Sequence, residues 1–207
     1  MSKSKSLEER EKQKYERMWS EVPSYRAFSP GYTSSYIFFD HFKERVKPDQ
    51  TITDFGCGPG LAALPFLDHK LNVHLVDIAE NSLQDKIEAL TLFLPERIRF
   101  TQASLWEMPE SIKPSEWIYC VDVLEHIPTE KVDDVLEALS KRTLLGGTLQ
   151  ICTVDEKFGE HIDDKLHLTV KPKEWWLEKI GKYWVIEESI DIVKGMRFSA
   201  LLGKPIV

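Results

Sequence analysis

The sequence has little of what would tie a chain to a membrane, a secretory route or a nucleic acid. No stretch approaches the ~20 consecutive apolar residues of a membrane span. The N-terminus, Met-Ser-Lys-Ser-Lys-Ser-Leu-Glu-Glu-Arg, has no apolar run behind its charges, so no signal peptide is predicted. Cysteines number only three, at 57, 120 and 152. Their wide spacing and the lack of a Cys-x-x-Cys pair argue against a disulfide framework or a zinc site. Buried free thiols in a reducing cytoplasm are the expectation. Basic residues are in deficit, 27 Lys and Arg against 34 Asp and Glu, for a net charge of −7. Binding an extended phosphate backbone normally needs a basic face, so nucleic acid is disfavoured as a partner. No metal site is predicted, because the acidic run Asp155, Glu156, Glu160, Asp163 and Asp164 has no tight ligand spacing. Repeats and low-complexity segments are also absent.

What is present suits one soluble domain with an appendage. The chain has 207 residues, 42% hydrophobic and 29% charged. Tyr15, Met18, Trp19 and Val22 recur at helical spacing and predict an amphipathic N-terminal helix. A second helix is expected over 32–46, ending before Pro48. From residue 51 the pattern alternates. Strands are predicted at Thr51–Phe55, Val73–Val76, Ile98–Thr101, Trp117–Val121 and Thr148–Thr153. Helices are predicted from about Leu61, around 81–91, and after Pro128 with the stripe Val132, Val135, Leu136 and Leu139. Gly146-Gly147 is read as the stop of that last helix. Pro172 opens another helix that Gly181 ends. Tyr183–Ile190 and Arg197–Leu202 have strand character around a turn at Lys194-Gly195. Alternating units followed by a hairpin predict an open α/β sheet, mostly parallel with one antiparallel strand.

The chemistry concentrates at three places along one edge of that sheet. Gly56, Gly58 and Gly60 follow the first strand, where glycine lets a backbone approach a ligand closely. Leu61 stands where the dinucleotide fingerprint wants its third glycine. Asp77 ends the second strand, about 20 residues on, a place for an acid that accepts from ribose hydroxyls. It could equally cap the helix near 81. Asp54, inside an apolar strand, must find donors or a ligand ammonium. The fourth strand delivers Asp122-Val123-Leu124-Glu125-His126-Ile127-Pro128 to the same edge.

Together, Asp54-Phe55-Gly56-Cys57-Gly58-Pro59-Gly60, Asp77 and Asp122–Pro128 resemble three motifs of the class I S-adenosylmethionine-dependent methyltransferases. Order and spacing match over about residues 50–155. Leu168–Pro172 and Gly181–Trp184 are similar to the later helix and strand of small-molecule members, and Leu-Glu-His-Ile is similar to the ubiquinone-biosynthesis O-methyltransferase branch. Residues 1–45 match no motif. The resemblance implies a Rossmann-like, seven-stranded sheet over 49–207, with helices on both faces. Residues 1–48 would be a helical extension or lid. It also implies S-adenosyl-L-methionine as cofactor. The loop Gly56, Cys57, Gly58 and Gly60 would then cradle methionine and ribose, and Asp54 would hold the ammonium. Asp77 would bind the diol and Ile78 would pack on adenine. Ser104 and Leu105 would stand by the adenine amine, where the family often has an acid. Asp122 and Leu124 would line the methionine side.

The implied reaction is methyl transfer to a small-molecule or glycan-like acceptor, with oxygen favoured. A hydroxyl acceptor benefits from a base. His126 is the first candidate, His167 the second and His161 the third. For His126, capping the following helix stays open as a plain structural role. The aromatic N-terminal part, Tyr15, Trp19, Tyr25, Phe28, Tyr32, Tyr36 and Phe39, is read as a lid or as core packing. Two other functions compete. A nicotinamide-dependent oxidoreductase shares the glycine turn and Asp77, but gives Asp122–Pro128 no role. A non-catalytic cofactor-binding subunit shares every cofactor residue.

Overall fold

A computed structural model describes residues 5–27 and 29–206, so Phe28 lies outside the described residues. One sheet of seven strands organises the chain. The strands are β1 (Thr51–Phe55), β2 (Asn72–Asp77), β3 (Ile98–Gln102), β4 (Ser115–Val121), β5 (Thr143–Cys152), β6 (Trp184–Val193) and β7 (Arg197–Pro205). Their spatial order is β3-β2-β1-β4-β5-β7-β6. The first five strands pair in parallel. Strand β7 runs antiparallel to both neighbours, β5 and β6. Strand order reverses between β1 and β4, which opens a crevice beyond their carboxyl ends.

Residues alternate across the sheet, so each face acquires its own core. On one face Phe55, Val76, Ile118, Cys120, Leu149 and Ala200 meet helix α6 (Val132–Ser140) and helix α7 (Lys173–Ile180) through Val135, Leu136, Leu139, Trp176 and Ile180. On the other, Ile52, Leu75, Trp117, Tyr119 and Leu201 meet three helices. These are α3 (Pro30–Phe42), with Phe38, Phe39 and Phe42, α4 (Ala63–Asp68), with Phe66, and α5 (Asp85–Phe93), with Ile87. All these side chains are buried. Two further helices, α1 (Leu7–Glu21) and α2 (Pro23–Ala27), precede them. A capping box starts α1: Ser6 Oγ accepts from Glu9 N at 3.1 Å, and Ser6 N donates to Glu9 Oε2 at 3.0 Å. No helix among the described residues is long and apolar enough to cross a membrane.

Several boundaries differ from expectation. The helix expected over 32–46 is α3, which starts at Pro30 and ends at Phe42 with Lys43 as its C-cap, and the short α2 before it was not expected. The helix after Pro128 opens with a 3-10 turn, Thr129–Lys131. The largest difference is β5, which begins at Thr143 and runs through Gly146-Gly147. Those glycines do not stop a helix; they admit neighbouring backbone. A Cβ on Gly146 would lie 2.1 Å from the Leu202 carbonyl oxygen, and one on Gly147 2.1 Å from that of Ile118.

Candidate active site

Two cavities occupy the crevice beyond β1, β2 and β4. They share Trp19, Tyr25, Gly56, Asp122 and His126 as walls. The first has a volume of about 80 Å³ and adds Asp77, Ile78, Ala103, Leu105 and Trp106. The second has about 290 Å³ and adds Asp54, Cys57, Gly58, His167 and Arg197.

The glycine loop is left-handed at each alternate residue, with φ of 72° at Gly56, 50° at Gly58 and 73° at Gly60. The three glycines differ in purpose. A Cβ on Gly56 would meet Val123 at 2.4 Å, and one on Gly58 the Trp19 ring at 3.1 Å, both at the cavities. A Cβ on Gly60 would meet Ile87 at 2.8 Å, so this glycine lets α5 pack. Gly60 lines neither cavity.

Asp77 braces the loops around it. Its Oδ2 accepts from Gly58 N at 2.8 Å and its Oδ1 from Ala79 N at 2.9 Å. It does not cap α5, whose N-cap is Gln84. Burial raises its pKa to about 6, against the pull of the Ala79, Gly58 and Ile78 amides. Three amides leave one acceptor position of the carboxylate open, and the residue lines the first cavity, so a ribose hydroxyl can still donate to it. Asp54 is 4% exposed and lines the second cavity. No described group donates to its carboxylate. Burial, then Asp77, pushes its pKa to about 8. A buried carboxylate without a donor fits a cationic ligand group such as an ammonium. With the glycine cradle and Asp77, this donor set fits S-adenosylmethionine.

Asp122 sits at the tip of β4 with φ 54°. Its Oδ1 accepts from Gln150 Nε2 at 3.1 Å, and its Oδ2 lies 3.0 Å from Arg197. Gln150 Oε1 in turn accepts from Ser34 Oγ at 2.8 Å and Ser199 Oγ at 3.1 Å. This braced network was missed in the sequence, where Gln150 and Arg197 read as ordinary strand residues.

His126 lies in the 3-10 turn Leu124–His126 and lines both cavities. Its Nδ1 is 2.7 Å from the Tyr15 hydroxyl. Burial holds the Tyr15 pKa well above its ordinary value, so the phenol keeps its proton and donates. Burial, then His167 and Lys14, hold His126 well below the usual imidazole range, so the ring is neutral. The His167 ring stands edge-on at 4.7 Å, with its Nδ1 2.6 Å from the Val154 carbonyl. Glu125, His126 and His167 each offer a ligand atom within 4.8 Å of the others, the one such trio among the described residues. Glu125 is buried, with Oε1 accepting from Cys152 N at 3.0 Å.

Besides Gly60, three expected residues stand apart from the cavities. Ser104 is buried and lines neither, while its neighbours Ala103 and Leu105 line the first. Leu124 enters the core, and Val123 faces the cavity instead. His161 is exposed and lines neither cavity. The N-terminal segment contributes more than the sequence signalled. Glu11, Tyr15 and Trp19 of α1, with Tyr25 of α2, wall the first cavity.

Comparison with known proteins agrees with this geometry. Residues 52–147 match the profile of the methyltransferase domain family. Ubiquinone biosynthesis O-methyltransferase of Rickettsia conorii is 32% identical over 107 residues, covering 50% of this chain and 35% of that protein. The Rickettsia akari enzyme of the same name is 34% identical over 79 residues, covering 37% of this chain and 30% of its own. The chain thus spans about a third of the length of these curated relatives. Among solved structures, Burkholderia thailandensis 1,6-didemethyltoxoflavin-N1-methyltransferase with bound S-adenosylhomocysteine superposes with a TM-score of 0.70 at 13% identity, over 99% of this chain and 93% of its own. Magnesium protoporphyrin IX methyltransferase of Synechocystis gives 0.66 at 15% identity, over 93% of each chain. At such identities these two speak for the fold. The matched segment, the motifs and the sheet together support a class I S-adenosylmethionine-dependent methyltransferase domain around residues 52–147.

Proposed function

We propose that this protein transfers the methyl group of S-adenosylmethionine to an oxygen of a small molecule, a glycan-like acceptor included. The cofactor brings a methyl group already activated on a sulfonium, so transfer is mostly a matter of positioning an acceptor about 3–3.5 Å away. Gly56 and Gly58 would carry the backbone close to it. Asp54 would take the ammonium, and Asp77 the ribose diol. Ile78 and Leu105 would border the adenine, and Asp122 the methionine part. Helix α1 acts as a lid in this reading, because its side chains wall the adenosine side.

One observation carries the choice of oxygen: the neutral His126 ring, which lines both cavities and is bonded through Nδ1 to the Tyr15 hydroxyl at the wall of the first. An attacking hydroxyl turns strongly acidic as its oxygen gains a bond to carbon. Even an imidazole of depressed basicity can then receive the proton. That proton passes from the acceptor to the Tyr15 oxygen while the Tyr15 proton moves to His126 Nδ1. His167 stands behind as the second histidine. Three buried free cysteines suit a reducing compartment, which we take to be the cytoplasm.

The test begins with calorimetry. S-adenosylhomocysteine should bind at micromolar level and NAD not at all; the reverse would turn the reading to an oxidoreductase. A labelled-methyl transfer screen over phenols, catechols and sugars then seeks the acceptor. On an acceptor so found, His126→Ala should lower turnover about 10²–10⁴-fold at unchanged S-adenosylhomocysteine affinity. Full activity would remove His126 from the chemistry. Tight cofactor binding with no transfer to any compound would favour a non-catalytic partner subunit.

A further inference from the structure

Helix α1 is attached on two sides. Toward the segment 158–166, Met18 and Val22 pack on Ile162 and Leu166, and Lys14 Nζ donates to the Lys165 carbonyl at 3.1 Å. Toward the loop 78–84 the attachment is polar and runs through two side chains, Arg26 of α2 and Asn81 of the loop. Arg26 Nε donates to the Trp19 carbonyl at 3.0 Å. Its Nη1 donates to the Ser82 carbonyl at 3.2 Å and the Leu83 carbonyl at 2.9 Å, and its Nη2 to the Asn81 carbonyl at 2.5 Å. The guanidinium also lies over the Trp19 ring, 5.8 Å from its centroid. Asn81 returns the connection, its Nδ2 donating to the Glu16 carbonyl at 3.0 Å and to Ser20 Oγ at 2.8 Å.

The loop so fastened is the one that leaves Asp77. Asp77 holds Ala79 N and Gly58 N together, and Gln84 N donates to the Pro59 carbonyl at 3.2 Å. The loop therefore touches the proposed ribose acid, the glycine cradle and the covering helix. Glu11, Tyr15 and Trp19 wall the first cavity, so a ligand bound there would lie against α1. The acceptors of Arg26 are main-chain carbonyls from two separate segments. A forked guanidinium spans them, and a lysine ammonium, a point donor on a flexible stem, does not.

We propose that Arg26 is a positioning residue that, with Asn81, joins cofactor binding at Asp77 to closure of α1, so that the ligand orders the loop and the loop draws down the helix that carries Tyr15 to His126. The proposal rests on the methyltransferase reading above. A ligand shifts such an equilibrium only by binding the closed form better, and here the added walls of Tyr15 and Trp19 supply that preference.

Hydrogen exchange of the full chain with S-adenosylhomocysteine tests this without any acceptor. In the wild type the ligand should slow exchange in both the loop 56–60 and helix 7–21. In Arg26→Met the loop should still be protected, while helix exchange stays within twofold of the ligand-free rate and affinity falls about tenfold. Arg26→Lys should behave as Arg26→Met does. Asn81→Leu cuts the same connection from the other side, so the idea stays testable if one variant folds poorly. Full helix protection in Arg26→Met or Arg26→Lys overturns the role of Arg26. A wild-type helix indifferent to bound ligand overturns the coupling. A folded wild type that binds no S-adenosylhomocysteine sinks the underlying methyltransferase reading as well.

Discussion

Asp54 trades stability of the empty protein for hold on a cation. Burial lifts its pKa to about 8, above the ~3.9 of an unfolded chain. The native state then binds the proton more tightly than the unfolded state. Ligand-free stability should accordingly decline as pH rises from about 4 to about 8. Asp54→Asn removes the titration. It should raise the ligand-free melting temperature, more at pH 8 than at pH 5, while weakening S-adenosylhomocysteine binding. Calorimetric melts at the two pH values check this, and a lower melting point for the Asn variant would count against it. The residue scale also shows where motif reading stops. Asp54, Gly56 and Asp77 were legible because strand ends and glycines carry local signatures. Leu124 was misplaced because Asp122 turns left-handed, which breaks the alternation that would assign the next two side chains to faces. The pairing of Tyr15 with His126 and of Arg26 with residues 81–83 carried no local signal, since the partners lie 111 and 55–57 residues away.

At the level of elements, strands and helices were largely found from period and punctuation. The amphipathic stripe of α6 and the alternating faces of β4 each put their buried side chains on one core. The error at β5 has a specific cause. Gly146-Gly147 reads locally as a helix stop, yet the need for glycine comes from the neighbouring strands. Ile118 and Leu202 carbonyls occupy the space any Cβ would take. Those carbonyls belong to the backbone of β4 and β7 and cannot swing aside. Gly147→Ala should therefore destabilise by about 2–3 kcal/mol, read as a lower urea midpoint at unchanged slope. A stop signal at a helix end would have tolerated alanine at under half that loss.

For the whole molecule, the sheet ends at β3 and β6. The β6 edge carries Glu187, Glu188 and Asp191, charges that discourage pairing with another chain. Glu187 also fastens the edge to α3. Its oxygens accept from Arg45 at 2.8 and 2.6 Å, and His41 Nε2 lies 2.8 Å from Oε2. Arg45 foremost, then His41, holds its pKa down to about 2 against burial. The clamp is therefore complete above the ordinary glutamate range and lost as pH falls from about 4 to about 2.

The place of β7 has a consequence for how the chain assembles. Strand β6 comes first in sequence, yet among the described residues it pairs with β7 alone, which itself sits against β5. A ribosome thus delivers an edge strand before the strand that will hold it. The two must close on each other as a hairpin, through the turn where Gly195 adopts φ 71°, before or while they complete the sheet. A β-branched residue disfavours that backbone. Gly195→Val should slow refolding several-fold and leave unfolding nearly unchanged, the mark of a contact already formed at the rate-limiting barrier. If stopped-flow measurements instead show faster unfolding at an unaltered refolding rate, the hairpin closes late, after the five parallel strands have set.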